Sequence, residues 1–368
     1  MSTHHGEAVA IKPISKVAKF QKNLIPANIP DSYTLNPILK SIASEENIRS
    51  GVIAFRNFLY LFFDRLISDG HLYTKPSKKP IDMTNYPPLS NISNLLVDIG
   101  YNSMLAESGG SLLITEIPSC TAPKPLISVS NQIVCLRFLV HCGFVFTGID
   151  LESKKFNISE SQIEVSYPDN PILLTGLKAM SVAEIELRTT RRYKNDESFL
   201  WCDYRLLKAE DTDILDVPKD YLHPLPEDVQ DFAIKLHQHN INMGMTCVLT
   251  ILSDIHFAYS YVKNSQRALS PRNIYQQRVW GFSISMKSGY CLVVRAKKTD
   301  KYTDVIKNFS LPLQKAIANG YGCYRKIGLE RCQEDCQGIR IPLDESILDM
   351  SEDIETWLDN EMPGSLRK

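Results

Sequence analysis

Long apolar runs are scarce in this chain of 368 residues, which excludes the usual signs of a membrane or secreted protein. The most apolar stretch, residues 48–67, carries Arg49, Arg56, Asp64 and Arg65, a charge density that disfavours a bilayer span. The first thirty residues hold charges and prolines, without the continuous apolar core of a secretory signal. We therefore expect a cytoplasmic protein that makes no membrane contact.

A net charge of either sign is also missing. The chain has 41 basic and 42 acidic residues, so its formal charge is -1, and no global field steers it toward nucleic acid or membranes. Apolar residues make up 43% and charged residues 23%, the usual globular mixture. The length predicts about two domains. With no net charge, charge-driven binding would require a local excess of basic or acidic residues.

Familiar catalytic motifs are absent as well. The sequence has no Gly-x-x-x-x-Gly-Lys-Ser/Thr loop, Gly-x-Gly-x-x-Gly, His-Glu-x-x-His or Gly-x-Ser-x-Gly, which removes the most easily recognised nucleotide-binding, zinc-protease and hydrolase classes. The nine cysteines are odd in number and widely spread, which argues against a disulfide framework. Enzymes that lack these motifs are not excluded.

Apolar periodicity predicts the helices of the first half. From Ile48 to Leu66 the apolar positions fall three or four residues apart, the stripe of a buried amphipathic helix, and Ser44 can open it. The turn-forming run Ser166–Pro171 precedes a helix over about 171–188. Three glycines follow helical patterns and precede short apolar strands, and we expect them to end those helices: Gly100, Gly143 and Gly244.

The sequence pattern of the second half of the chain predicts helices packed on an antiparallel sheet. A hairpin with Gly289 in its turn joins two of the expected strands. The expected elements are a helix at 227–240, strands at 246–262, 279–286 and 290–297, helices at 301–309 and 310–320, and a helix at 351–361.

The predicted fold class is therefore α+β, with a helix-rich mixed N-terminal domain and a C-terminal domain of helices packed on a small antiparallel sheet. The expected divisions are a flexible arm at 1–33, a helix-rich α/β domain at 34–207, a linker at 208–226, the antiparallel sheet with helices at 227–320, and a cysteine-containing extension with a C-terminal helix at 321–368.

A local charge asymmetry supplies the first functional hypothesis. Residues 261–310 hold ten basic and two acidic side chains, a net +8, with aromatic residues between them. A basic sheet with aromatics can contact phosphates and stack bases. The alternative is that the segment 325–368, with a net charge of -5, neutralises this surface, or that it is a solvated face. The candidate binding residues are Arg278, Arg295, Lys297, Lys298 and Lys301.

A cysteine group supplies the second hypothesis. Cys323, Cys332 and Cys336 lie within 14 residues of one another, and Cys291 on a neighbouring strand could complete four zinc ligands. No Cys-x-x-Cys pair is present, so plain reduced thiols are the alternative. A reactive thiol is a further one, since Arg325, Lys326 and Arg331 would lower a neighbouring thiol pKa.

Asp254 and His256 form the third candidate. They are two residues apart in an expected strand, so their side chains share one face and could act as a base and its orienting carboxylate. A satisfied surface pair is the alternative, because no nucleophile motif accompanies them.

Two pairs of segments carry a family resemblance: Ser166–Pro171 with Leu174–Lys178, and Gly322-Cys323 with Cys336–Asp344. They resemble a protein family of low-GC Gram-positive anaerobic bacteria whose function is not established, over roughly residues 90–360. The resemblance implies a bacterial cytoplasmic protein and supplies no catalytic residues.

The leading hypothesis is a binding or regulatory protein that contacts nucleic acid, another polyanion or an acidic partner through the basic sheet, with a small-molecule ligand also compatible. The competing hypotheses are an enzyme that uses a reactive cysteine or the Asp254–His256 pair, and an interaction protein with structural zinc.

Overall fold

Helices and antiparallel strands make up the computed structural model, and the α+β class predicted from the sequence is confirmed. The chain divides into two units, Met1–Thr212 and Asp213–Lys368. The structure describes residues 14–73, 88–107, 109–152, 161–188, 198–210, 214–251, 254–260, 278–296, 301–319 and 338–361. Within these ranges every helix is too short or too polar to cross a lipid bilayer.

The N-terminal unit combines six α-helices with a four-stranded antiparallel sheet in its described part. The sheet order is β1-β2-β4-β3. A π-helical turn, Ala183–Leu187, continues helix α6. The bounds are α1 Ile14–Lys22, α2 Glu45–Asp69, α3 Leu89–Asn102, α4 Pro118–Thr121, α5 Val129–His141 and α6 Ile172–Val182, with strands β1 Met104–Leu105, β2 Ser111–Ile114, β3 Val145–Thr147 and β4 Ile163–Ser166.

Helices α2 and α6 form the centre of this unit. Ser44 caps α2 as predicted, since its Oγ accepts a hydrogen bond from the Asn47 backbone N–H at 3.2 Å. The apolar stripe of α2 is buried. The two helices approach so closely at Gly51 and Gly176 that a Cβ on Gly176 would lie 2.0 Å from the Gly51 carbonyl oxygen.

Two expectations for this unit are wrong. Of the flexible arm expected at 1–33, residues 1–13 lie outside the described residues, and residues 14–33 are packed instead, because α1 buries Val17 and Ala18 and the Trp201 indole N–H donates to the side chain of Gln21. Gly100 does not end a helix either. It lies inside α3, where a Cβ would meet the Ser181 hydroxyl, so its role is close helix packing.

The other two glycines that were expected to end helices behave as predicted. Gly143 follows α5 with φ +105° and Gly244 follows the helix at 227–242 with φ +86°, a left-handed conformation that costs glycine little.

The C-terminal unit packs helices on a five-stranded antiparallel sheet whose order, β5-β6-β7-β8-β9, follows the chain. The bounds are α7 Val217–Leu222, α8 Glu227–Asn242, α9 Thr303–Ile306, α10 Leu311–Asn319 and α11 Ser351–Glu361, with strands β5 Thr246–Ile251, β6 Ile255–Ser260, β7 Trp280–Ser285, β8 Gly289–Val294 and β9 Ile339–Pro342.

This unit corrects the predicted elements in two places. The expected strand at 246–262 is two paired strands, β5 and β6, so Asp254 precedes a strand and does not lie within one. The expected linker contains α7, which buries Val217 and Tyr221 and packs Tyr221 against Phe257 of β6 at 5.9 Å. Residues 217–222 thus belong to the core of this unit.

One face of the sheet carries the aromatic core. Trp280 and Phe282 are buried, as predicted, and the Trp280 ring stacks on Tyr259 at 3.8 Å. Helix α8 packs here, since His237 Nδ1 lies 2.6 Å from the Tyr259 hydroxyl and the Trp280 indole N–H donates to Asn240. The opposite face of the sheet therefore presents the alternate residues.

Candidate functional site

The face of the five-stranded sheet opposite α8, here called the polar face, carries polar side chains in a row across the strands. His256 of β6 is the direct cross-strand partner of both Thr250 of β5 and Ser283 of β7, and Ser283 is the partner of Cys291 of β8. Directly opposed residues of antiparallel strands have Cβ atoms about 4.5–5.5 Å apart. Hydroxyl, imidazole and thiol groups are thereby brought together from separate parts of the sequence.

These polar side chains are buried. Ser283 is 1% exposed and His256 is 7% exposed. In the alternation of β8, Arg295 follows Cys291 and Val293 on the same face, and it is 2% exposed. Buried polar groups are stable only when hydrogen bonds or opposite charges compensate their lost hydration. The buried polar side chains of this row therefore need partners that provide this compensation.

Burial and two guanidinium groups determine the protonation of His256. Burial, followed by the guanidinium charges of Arg278 and Arg340, lowers the pKa of His256 to about 3. The imidazole is therefore neutral at physiological pH. Burial is the main cause of this low pKa, and the two nearby positive charges add to it because like charges oppose protonation.

Arg340 of β9 connects several of these groups. Its Nη1 donates to Ser288 Oγ at 2.8 Å, and its charge acts on Asp254, His256 and Cys291. Arginine is well suited to this position because its planar fork of donors matches the oxygens of phosphates and carboxylates.

Ser283 combines a buried hydroxyl that has no hydrogen-bond partner among the described residues with a position directly across from His256. A buried hydroxyl without a partner costs about 1–3 kcal/mol. A ligand oxygen that accepted the hydroxyl hydrogen would remove this cost. Ser283 therefore marks a position on the polar face where a ligand acceptor would be stabilised.

The predicted basic residues do not form one exposed surface. Arg278 and Arg295 are buried, at 4% and 2% exposed, whereas Lys301 is exposed. Lys297 and Lys298 lie outside the described residues. The expectation of an exposed sheet surface is thus wrong for the two arginines, because their side chains belong to the interior of the unit.

The predicted zinc ligands are only partly described. Cys291 is buried and its thiol donates to the Ser288 carbonyl at 3.1 Å, while Cys323, Cys332 and Cys336 lie outside the described residues. Within the described ranges, no group of three or more His, Cys, Asp or Glu side chains could hold a metal ion. The zinc hypothesis stays a prediction.

Asp254 and His256 are close but not hydrogen-bonded to each other. Asp254 Oδ2 lies 4.0 Å from His256 Nε2, which exceeds hydrogen-bond length. Burial raises the pKa of Asp254 and lowers that of His256 to about 3, so His256 is a weak base near neutral pH.

Sequence reasoning missed Ser283, Ser288 and Arg340. Arg340 was counted within an acidic tail, because only strand pairing shows that it lies two strands from Ser283. A usable signal was the alternation of Gly281, Ser283 and Ser285 with Trp280, Phe282 and Ile284, which predicts one small polar face on β7.

Comparison of the chain with protein-family models, with curated proteins and with solved structures gives no match. The resemblance to a bacterial family consequently stays an expectation based on the quoted segments, and function is argued from the site alone.

Proposed function

We propose that this chain is a cytoplasmic binding or regulatory protein whose C-terminal unit recognises a phosphate group or a similar compact anion on the polar face. The anion belongs to a nucleic acid or to another phosphorylated ligand. Because the arginines are buried, a single terminal phosphate fits this site better than a polymer lying across an open surface.

The charge arrangement supports an anionic ligand. Arg278 and Arg340 both act on His256, and Arg295 lies on the same sheet face. A neutral imidazole has one N–H donor, and arginine offers five. Donors of this kind, in a site of low dielectric constant, bind phosphate oxygens with short charge-assisted hydrogen bonds.

The observation that carries the proposal is the Ser283 hydroxyl. It is buried without a partner in the described part of the chain, and it is the cross-strand neighbour of His256. A hydroxyl that donates to a charged oxygen contributes about 1.5–3 kcal/mol. An anion would therefore satisfy Ser283 and offset the positive field in one step.

The test is a calorimetric titration of the full chain with sulfate, a tetrahedral dianion whose charge does not change near neutral pH. Ser283→Ala should weaken sulfate binding at least about tenfold, the loss of one charge-assisted hydrogen bond. The variant should stay at least as stable as the wild type, because the hydroxyl that it removes makes no hydrogen bond in the described structure.

Ser310→Ala is the matched control. Ser310 Oγ is also buried without a partner among the described residues, but it lies at the start of α10 and not on the sheet. This variant should bind sulfate like the wild type. No sulfate binding at low salt, or equal losses in both variants, would contradict the proposal.

Oligonucleotides with and without a 5′-phosphate then identify the ligand class. Preference for the phosphorylated form, with binding that weakens as salt rises, would favour a nucleic-acid end. Sulfate binding without oligonucleotide binding would favour a small phosphorylated molecule.

A further inference from the structure

A groove in the N-terminal unit, here called the α6 groove, has a volume of about 430 Å³. Its floor is one face of α6 and of the π-helical turn that continues it. Its walls are the short 3-10 helix at 37–41 and the segment that joins α3 to β1. Its lining includes Ile38, Met104, Leu105, Lys178, Val182 and Glu186.

The floor of the groove has opposite charges at its two ends. Lys178, Val182 and Glu186 are spaced four residues apart along one helix. At 1.5 Å rise per residue, the two charged residues are about 12 Å apart along the axis. Glu186 lies in the π-helical turn, whose Arg188 N–H bonds to the Ala183 carbonyl, and such turns occur frequently at functional sites.

Lys178 provides the positive end. Its ammonium group donates to the carbonyl oxygens of Ser103 at 2.5 Å and Gly100 at 3.3 Å. An ammonium has three N–H donors, so one is left for a ligand. The two carbonyls hold the lysine side chain in place at the end of α3.

Glu186 provides the negative end. The Tyr101 hydroxyl donates to its Oε1, which fixes the carboxylate beside the groove. Its second oxygen has no protein donor within the described residues, and Glu186 is solvent-exposed. An amine that enters the groove can therefore pair with it.

Apolar side chains line the middle of the groove. Met104 is 68% exposed and Ile38 is 42% exposed, and Leu105 and Val182 also line the groove. Exposed apolar surface flanked by polar groups is typical of ligand-binding grooves. Ligand side chains that covered it would contribute hydrophobic binding energy.

We infer that the α6 groove binds a short zwitterionic peptide of two or three residues with apolar side chains. Lys178 contacts the terminal carboxylate, Glu186 contacts the terminal ammonium, and the apolar walls contact the side chains. A dipeptide extends about 6–7 Å and each charged hydrogen bond adds about 2.8 Å, a total comparable with the rise of about 12 Å between the two helix positions.

The experiment is a calorimetric titration of the full chain with the dipeptide Leu-Leu, compared with N-acetyl-Leu-Leu, Leu-Leu-amide and free leucine. Leu-Leu should bind at least ten times more tightly than each of the other three. The first derivative lacks the ammonium, the second lacks the carboxylate, and leucine is too short to reach both ends.

The variant Glu186→Gln tests whether Glu186 contacts the terminal ammonium of the peptide. This variant should lose the tenfold preference for Leu-Leu over N-acetyl-Leu-Leu while it keeps the preference over Leu-Leu-amide. Glu152→Gln, at an exposed glutamate of the same unit, should behave like the wild type. Lys178→Met should lose the preference over Leu-Leu-amide, with circular dichroism to check that α3 remains folded.

Three results would overturn the inference. They are no heat of binding with millimolar Leu-Leu, equal affinity for the blocked and the free dipeptides, and equal effects of the variants at Glu186 and Glu152.

Discussion

His256 lies where a protonated imidazole would be costly. It is buried beside two guanidinium charges, and its pKa is lowered from 6.5 to about 3. At neutral pH the folded and unfolded states both hold a neutral imidazole, so the residue makes no pH-dependent contribution there. Below about pH 6.5 the His256 imidazole binds a proton in the unfolded chain but not in the folded state. Stability is therefore lost as the pH falls from about 6.5 toward 3.

Replacement of this residue should reduce the acid sensitivity of the protein. Between about pH 7.5 and pH 4.5 the free energy of unfolding of the wild type should fall by roughly 2–3 kcal/mol more than that of His256→Gln. Urea denaturation at the two pH values measures this difference. His239→Gln, at an exposed position of α8, is the control and should lose as much as the wild type. Parallel losses in all three proteins would contradict the lowered pKa.

At the scale of elements, the contact between α2 and α6 depends on two glycines. A Cβ on Gly51 would lie 2.5 Å from the Gly176 nitrogen, and a Cβ on Gly176 would lie 2.0 Å from the Gly51 oxygen. Both distances are to backbone atoms, which a rotamer change cannot move away. The two helices can pack this closely only because neither residue has a side chain.

Gly176→Ala should consequently force the helices apart and destabilise the protein by about 3 kcal/mol or more, although alanine favours the helix intrinsically. Urea denaturation compares it with Gly70→Ala. At Gly70 the nearest atom to a new Cβ is a flexible Ile14 methyl at 3.1 Å, so the change should stay within about 1 kcal/mol. A cost at Gly176 no larger than at Gly70 would refute this close contact.

At the scale of the whole molecule, the cysteines are distributed through both cores. The six that the structure describes are all buried: Cys120, Cys135, Cys142, Cys202, Cys247 and Cys291. Burial raises the pKa of Cys120, Cys142 and Cys247 to about 12 and also raises that of Cys291. Buried thiols with raised pKa values are unreactive.

Native alkylation with iodoacetamide near neutral pH should therefore modify none of these six cysteines rapidly. Mass spectrometry of the labelled peptides checks each position, and labelling in concentrated urea, where all nine thiols should react, is the control. Rapid single-site labelling at Cys323, Cys332 or Cys336 would favour the cysteine-enzyme hypothesis. Fast labelling of Cys291 would instead contradict the burial of its thiol.

Local patterns by themselves determined much of the fold. The stripe from Ile48 to Leu66 and the Ser44 cap predicted α2, since helix periodicity and capping depend on neighbours in sequence. Gly289, with φ +66°, and the alternation of Trp280 and Phe282 predicted the β7–β8 hairpin and its buried side. The α+β class and the glycine helix ends at Gly143 and Gly244 followed from the same short-range rules.

Only the tertiary structure decided where function could reside. Strand pairing places Ser283, from one part of the chain, opposite His256 from another, and brings Arg340 from a segment that the sequence showed only as acidic. The same is true of the α6 groove, where helix crossing brings Tyr101 to Glu186. Burial and cross-strand contacts depend on residues far apart in sequence, and composition and spacing carry no information about such contacts.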